Sequence, residues 1–316
     1  MATKKILVVF GATGGQGGSV VKSMLSDPKM TSSWKIRGIT RDPSKPSAKA
    51  LEAQGVETVA ADLNDKASLK KALHGAYAVF AVTNYWEKMS VEIEVGQGKA
   101  IADAAKEEGI QHLVWSSLMN VTKLSKGVLP NVYHFDSKAQ VEEYIRSIGI
   151  PATFFMPGYF MSNVPGGALR KMGPTFGMGL PIPTNSPIPM FNAQGDAGKF
   201  VKGILLNREK LLGERIYGAT EYLTVEEIVK QFSEVFPEDG KDAKAIELPH
   251  EAFLSALEAK GMPKFVQEEL LENMRLMAEF GYYGGASLDE SHSILVDKLT
   301  TWKEFCKAAK AFEGLK

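Results

Sequence analysis

The stretch Ile6–Leu25, ILVVFGATGGQGGSVVKSML, decides the fold. A short β-branched and aromatic run, a loop with glycines at positions 11, 14 and 17, and an apolar-periodic segment follow one another without a break. That order reads as strand, tight turn and helix. Backbone N–H groups from Gly11 through Ala12, Thr13, Gly14, Gly15 and Gln16 to Gly17 then converge where the positive end of a helix dipole points, a binding site for a pyrophosphate. The spacing is G-x-x-G-x-x-G, a variant of the dinucleotide fingerprint, and its position directly after an N-terminal strand gives it meaning.

Outward from this stretch, strand-like runs alternate with helical ones. The strands are expected at Lys5–Phe10, Lys35–Thr40, Glu57–Ala61, Ala78–Val82, His112–Ser116 and Ala152–Met156, with amphipathic segments such as DKASLKKALHGA and VEIEVGQGKAIADAAKEEG between them. Alternation of this kind predicts an α/β fold, a Rossmann doubly wound parallel sheet. Between Pro157 and Pro189 stand seven prolines and six glycines, a texture that predicts a long irregular segment. Beyond it, GDAGKFVKGILL reads as a helix, ERIYG as a strand, and Thr224 with Glu227 as the capping box of a further helix. The C-terminal third is mostly helical. Residues 1–156 are therefore expected to form the nucleotide-binding domain, completed by about 193–236, with 157–192 and 237–316 as a smaller α-rich C-terminal domain.

The end of the second strand selects the cofactor. An acidic residue there would hold the ribose hydroxyl of NAD, whereas an arginine accommodates the 2′-phosphate of NADP. KIRGITRDPSK places Arg41 at the tip and Lys45 close behind, which favours NADP. Asp62, ending the third strand, stands where it can accept from an adenine amino group, or else cap the helix near Lys66, a task open to Asn64 or Asp65 as well.

The 37 basic and 37 acidic side chains cancel, so no global charge points to nucleic acid or to a membrane surface. The single cysteine, Cys306, precludes an internal disulfide or a cysteine-based zinc site, and the scattered histidines suggest no metal. With no signal-like core after MATKK, the expected location is the cytosol, with the nucleus as a further one.

The strings VVFGATGGQGGSVV, TRDPSK, VTNYWE and HFDSKAQVEEYIRSIGIP together resemble the NmrA-like family of atypical short-chain dehydrogenase/reductase relatives, closest to its NADP(H)-binding redox-sensor type. The resemblance runs along nearly the whole chain. It implies cofactor contacts from Gly11–Gly17, Arg41, Lys45, Asp62, Leu63, Thr83, Asn84 and Tyr85, a nicotinamide-ribose contact from Lys138, and a closing segment Tyr159, Phe160, Met161 and Ser162. It also implies a regulatory protein partner, with a homodimer as a further possibility. Gly96 stands where the closest type has a lysine, and PGYFMSN is one residue longer than its counterpart.

Short-chain reductases protonate their product with a tyrosine four residues before the lysine. Here that position holds His134, and Tyr133 is rotated about 100° away around the helix. His134 and Lys138 are expected to share one helix face, the lysine holding the imidazole neutral. The reading that follows is a regulatory NADP(H)-binding protein lacking the usual catalytic pair, with ordinary aldehydes and ketones as poor acceptors. The alternative is an NADPH-dependent reductase of quinones or other activated aromatics, with His134 and Lys138 in its active site.

Overall fold

The alternation in the first strand, Lys5–Val9, explains why helices cover both faces of its sheet. The computed structural model describes residues 3–316, so the first two residues of the expected nucleotide-binding domain lie outside it. Leu7 and Val9 share a core with Val20 and Met24 of one helix and Phe200 and Ile204 of another. Val8 and Phe10, pointing the other way, share a second core with Leu69, Leu73, Ile101 and Val141. Strands buried on both faces belong to parallel sheets with helical crossovers.

The main sheet has seven strands: β1 (Lys5–Val9), β2 (Trp34–Thr40), β3 (Glu57–Ala60), β4 (Ala78–Ala81), β5 (His112–Ser116), β6 (Ala152–Pro157) and, later in the chain, a strand at Arg215–Gly218. All its pairings are parallel, in the order 215–218, β6, β5, β4, β1, β2, β3. The first-half helices are α1 (Gly15–Leu25), α2 (Pro28–Ser33), α3 (Pro46–Glu52), α4 (Lys66–Leu73), α5 (Val91–Glu107), α6 (Val121–Leu124) and α7 (Tyr133–Ile148). The order reverses at β1 and β4, where open sheets bind ligands beyond the carboxyl ends of their strands. All six expected first-half strands are present, with ends moved by a residue at most.

The proline- and glycine-rich stretch differs from expectation. It contains β7 (Tyr159–Phe160), β8 (Leu169–Met172), β9 (Thr175–Leu180) and β10 (Ile188–Phe191). With β11 (Arg215–Gly218) placed in the main sheet, β12 (Glu221–Leu223) joins β10 and β7, and β13 (Lys244–Glu247) joins β9 and β8. The punctuating residues sit at strand ends and close approaches rather than throughout. Gly173 and Pro174 form the turn between β8 and β9, and Gly179 lies where a Cβ would crowd Leu248. Buried Met161, Leu169, Met178, Ile188 and Met190 anchor the stretch in a third core with Phe232 and Trp302.

The remaining helices are α8 (Ala193–Leu206), α9 (Arg208–Leu211), α10 (Val225–Val235), α11 (His250–Glu258), α12 (Lys264–Glu279), α13 (Asp289–Ser293) and α14 (Trp302–Ala308). The Thr224–Glu227 capping box opens α10 as expected. Helix α8 lies so close to α1 that a Cβ on Gly198 would stand 2.1 Å from the Ser19 carbonyl oxygen. Gly198→Ala should therefore cost about 1–3 kcal/mol of stability through overpacking. Gly96→Ala, which meets open space inside α5, should instead add about 0.5–1 kcal/mol, as alanine does over glycine in a helix. Urea unfolding measures both.

Candidate functional site

Gly11 takes the left-handed conformation, φ +61°, which turns the chain from β1 toward α1. A Cβ on Gly17 would stand 2.3 Å from the Gly11 carbonyl oxygen, so only glycine allows the helix to start this close to the strand. Ala12 is buried beside Gly38 of β2, whereas Thr13, Gly14 and Gly15 are exposed. Gly14, the N-cap of α1, supplies no side-chain cap, and the first turn carries no acidic residue. The first-turn N–H groups therefore remain available to an anion. Gln16 fixes the loop from the side, accepting the Ser116 hydroxyl at 2.9 Å at the end of β5.

Arg41 follows β2 with 75 % of its side chain exposed, and donates to Glu87 at 2.6 Å in the turn after β4. The loops after β2 and β4 are thereby tied across the same sheet edge. Lys45 is exposed at the N-cap position of α3. Asp62 accepts from the backbone N–H and the side-chain amide of Asn64, both at 2.9 Å. The cap of α4 is Asp65, so Asp62 does not serve there. Leu63 is partly buried against the core shared by α4 and α5.

Behind this edge lies a buried polar cluster that sequence reasoning only half anticipated. Lys138 pairs with Glu94 and also donates to the Thr83 hydroxyl at 3.0 Å and the Thr83 carbonyl at 3.2 Å. The Thr83 hydroxyl donates to Glu94 Oε1 at 2.7 Å, and the Ser137 hydroxyl donates to Oε2. An ammonium has three N–H donors, and protein atoms engage all of Lys138's. Through these contacts the lysine holds the loop after β4 in place. Burial pulls the Lys138 pKa below its ordinary value, opposed by the Glu94 charge. The missed partner, Glu94, had a signal. It lies one turn before Gly98, whose Cβ would fall 2.5 Å from Val141, so α5 and α7 meet closely at that face.

His134 also departs from expectation. Its charged neighbour is Glu269 of α12, a carboxylate with no exposed surface. Oε1 accepts the His134 backbone N–H at 2.8 Å and ring Nδ1–H at 2.6 Å, while Oε2 accepts the Tyr85 hydroxyl at 3.3 Å. The charged group against this ring is therefore Glu269 and not Lys138. Burial, reinforced by the Glu269 charge, holds the Tyr85 phenol well above its ordinary pKa, so it stays a donor. Asn84 is exposed beside it, and Tyr133 turns away to donate to Asn131 at 2.7 Å.

Strand alternation splits the segment after β6. Phe160 packs into the same core as Ala12 and Val82. Tyr159 and Met161 enter the third core, where burial pushes the Tyr159 phenol up to about 12, and Ser162 is exposed. Tyr159 and Phe160 thus stand on opposite faces of the strand, in different cores.

The sequence matches the NmrA-like family over residues 3–306. An NmrA-like family domain-containing oxidoreductase of Penicillium ochrochloron, ptmS, is 32% identical over 255 residues, covering 74% of this chain and 73% of that protein. FrzB of Cladobotryum sp, of the same description, is 29% identical over 302 residues, covering 87% and 83%. The fold is similar to that of NmrA, a negative transcriptional regulator, in complex with NADP: TM-score 0.79 at 22% identity, over 99% of this chain and 96% of that one. It is similar as well to an NADPH-dependent quinone oxidoreductase from Escherichia coli, TM-score 0.75 at 21% identity, over 96% and 99%.

Removing one partner of a buried ion pair costs about 3–5 kcal/mol, because the other charge is left uncompensated. Lys138→Met should show a loss of that size by urea unfolding. Adding Glu94→Gln should restore most of it. Equal stability of Lys138→Met and the parent would mean that the pair does not hold this face together.

Proposed function

The chain belongs to the NmrA-like family, and from that premise we propose that it binds NADP(H) at the C-terminal edge of its sheet and acts as an oxidoreductase. The observation that carries the cofactor is the uncapped α1 N-terminus behind a glycine turn too tight for any side chain at position 17. A dianionic phosphate fits Arg41, exposed at the tip of β2 and movable from its surface pair with Glu87. The curated relatives' description as oxidoreductases supports redox chemistry over binding alone. Bound at this edge, the reduced nicotinamide would supply a hydride to an activated carbonyl or quinone.

A second reading is regulatory: occupancy by NADP(H) is sensed by a protein partner, or a second copy of the chain, without turnover. The engaged Lys138 favours it, since the lysine has no spare donor for chemistry.

Calorimetry and a turnover assay separate these readings. Arg41→Ala should weaken NADP binding by about 2 kcal/mol, the scale of a charge-assisted hydrogen bond, and leave NAD binding nearly unchanged. Equal losses for both cofactors would sink the assignment of Arg41 to the 2′-phosphate. Wild-type protein that binds NADPH and consumes none with quinones or aldehydes would favour the regulatory reading.

A further inference from the structure

We infer that His134, oriented by the buried Glu269, is the proton donor of this site, and that the substrate it suits is an aromatic aldehyde or ketone. The inference rests on the oxidoreductase reading above. A carboxylate only accepts, so the 2.6 Å contact assigns the ring proton to Nδ1 and leaves Nε2 as the working nitrogen. Nε2 has no hydrogen-bond partner among the described residues and is not a sealed atom, in a ring whose side chain keeps 14 % of its surface. His134 lies in the first turn of α7. The crossover from β5 to β6 brings that turn to the same sheet edge as the phosphate loop.

The groups facing the ring are consistent with this role. Glu269 reaches it from α12, the protonated Tyr85 from the turn after β4, and Asp136 stands two residues further along α7. Lys138 is neutralised by Glu94, so no free cation on this helix opposes an imidazolium. A carboxylate behind an imidazole fixes its tautomer and stabilises the cation. A purely structural Glu269 would need to accept only the His134 backbone N–H as a substitute cap for α7, whose N-cap Val132 offers none. The ring bond adds nothing to capping.

The substrate class follows from what a proton donor is for. A quinone spreads the charge of its reduced form, whereas an alkoxide formed from an aldehyde or ketone needs a proton as it forms. The carbonyl carbon gains a hydride from NADPH, which leaves as NADP+. Nε2 first takes a proton from solvent to give the imidazolium, which passes that proton to the carbonyl oxygen and returns to the neutral Nδ1–H ring. Trp86, 38 % exposed with its ring 4.9 Å from that of His134, offers an aromatic surface for a planar substrate.

The test compares NADPH consumption with 4-nitrobenzaldehyde and with 9,10-phenanthrenequinone in wild type, His134→Gln and Glu269→Gln. His134→Gln should lose about 100-fold in kcat on the aldehyde, the scale of a general acid, and clearly less on the quinone. Glu269→Gln should also lose aldehyde kcat, and clearly less quinone kcat, because the imidazole has lost the carboxylate that orients it. A readout independent of turnover is the His134 ring Nδ1–H signal in proton NMR of the cofactor-free protein. It should be far downfield in wild type, absent in His134→Gln and moved upfield in Glu269→Gln. If wild type binds NADPH and reduces neither probe, the oxidoreductase reading fails and this inference with it. If wild type turns over and His134→Gln keeps its aldehyde rate, the inference alone is overturned. An absent downfield signal in wild type overturns the dyad whatever the rates, and the wild-type and His134→Gln arms decide the matter even if Glu269→Gln does not fold.

Discussion

The buried Glu94–Lys138 pair constrains the site more than any other interaction. An ion pair out of water is tolerated only when its remaining donors and acceptors are met, because each unmet one carries its full desolvation cost. Thr83 and Ser137 meet them here, and Gly98 lets α5 approach α7 closely enough to bring the carboxylate within reach. The conformation of the chain leaving β4 is set by this cluster. Thr83, Asn84 and Tyr85 are therefore presented at the sheet edge by a charge network beneath them rather than by their own turn chemistry.

Glu269 repeats the device from the other side. Its two oxygens take donors from the start of α7 and from Tyr85, so a helix of the C-terminal third is joined to two elements of the nucleotide-binding edge. The third core behind it contains Trp302, Phe232 and the strands of the proline-rich stretch. Burial of that core fixes α12, and α12 fixes the imidazole. The C-terminal third thus reaches the start of α7 through two carboxylates of one helix, Glu269 and Glu272, and its composition reads as ordinary amphipathic helix.

What was legible in the sequence followed local rules. Periodicity located the main-sheet strands, and glycine spacing located the tight turn from β1 into α1, because both are consequences of the adjacent chain. The proline-rich stretch was misread since composition does not reveal where prolines fall: Gly173–Pro174 makes a turn, and Pro189 occupies a paired strand. Glu94, marked only by the glycine one turn after it, and Glu269 were missed for a different reason. Both stand among other acids, in VEIEVG and VQEELLENM, and only tertiary contact separates the buried carboxylate from its solvated neighbours. The resemblance gave Tyr159 to Ser162 as one segment, and only the strand geometry shows that neighbours in it go to opposite faces.

Residues 134 and 138, one turn apart on α7, show why a missing tyrosine is poor evidence for missing chemistry. In a tyrosine–lysine arrangement the lysine serves the reacting centre, lowering the phenol's pKa. Here Lys138 is turned inward and neutralised by Glu94, so it cannot activate anything at position 134. A tyrosine there would gain nothing from it, and beside the Glu269 carboxylate it would be a worse acid, as burial and that same charge make Tyr85. A histidine can instead take its orientation from that carboxylate, which accepts both its backbone N–H and its ring Nδ1–H. The residues at 134 and 138 are thus each held by a separate buried carboxylate, Glu269 and Glu94, on two different helices packed against α7.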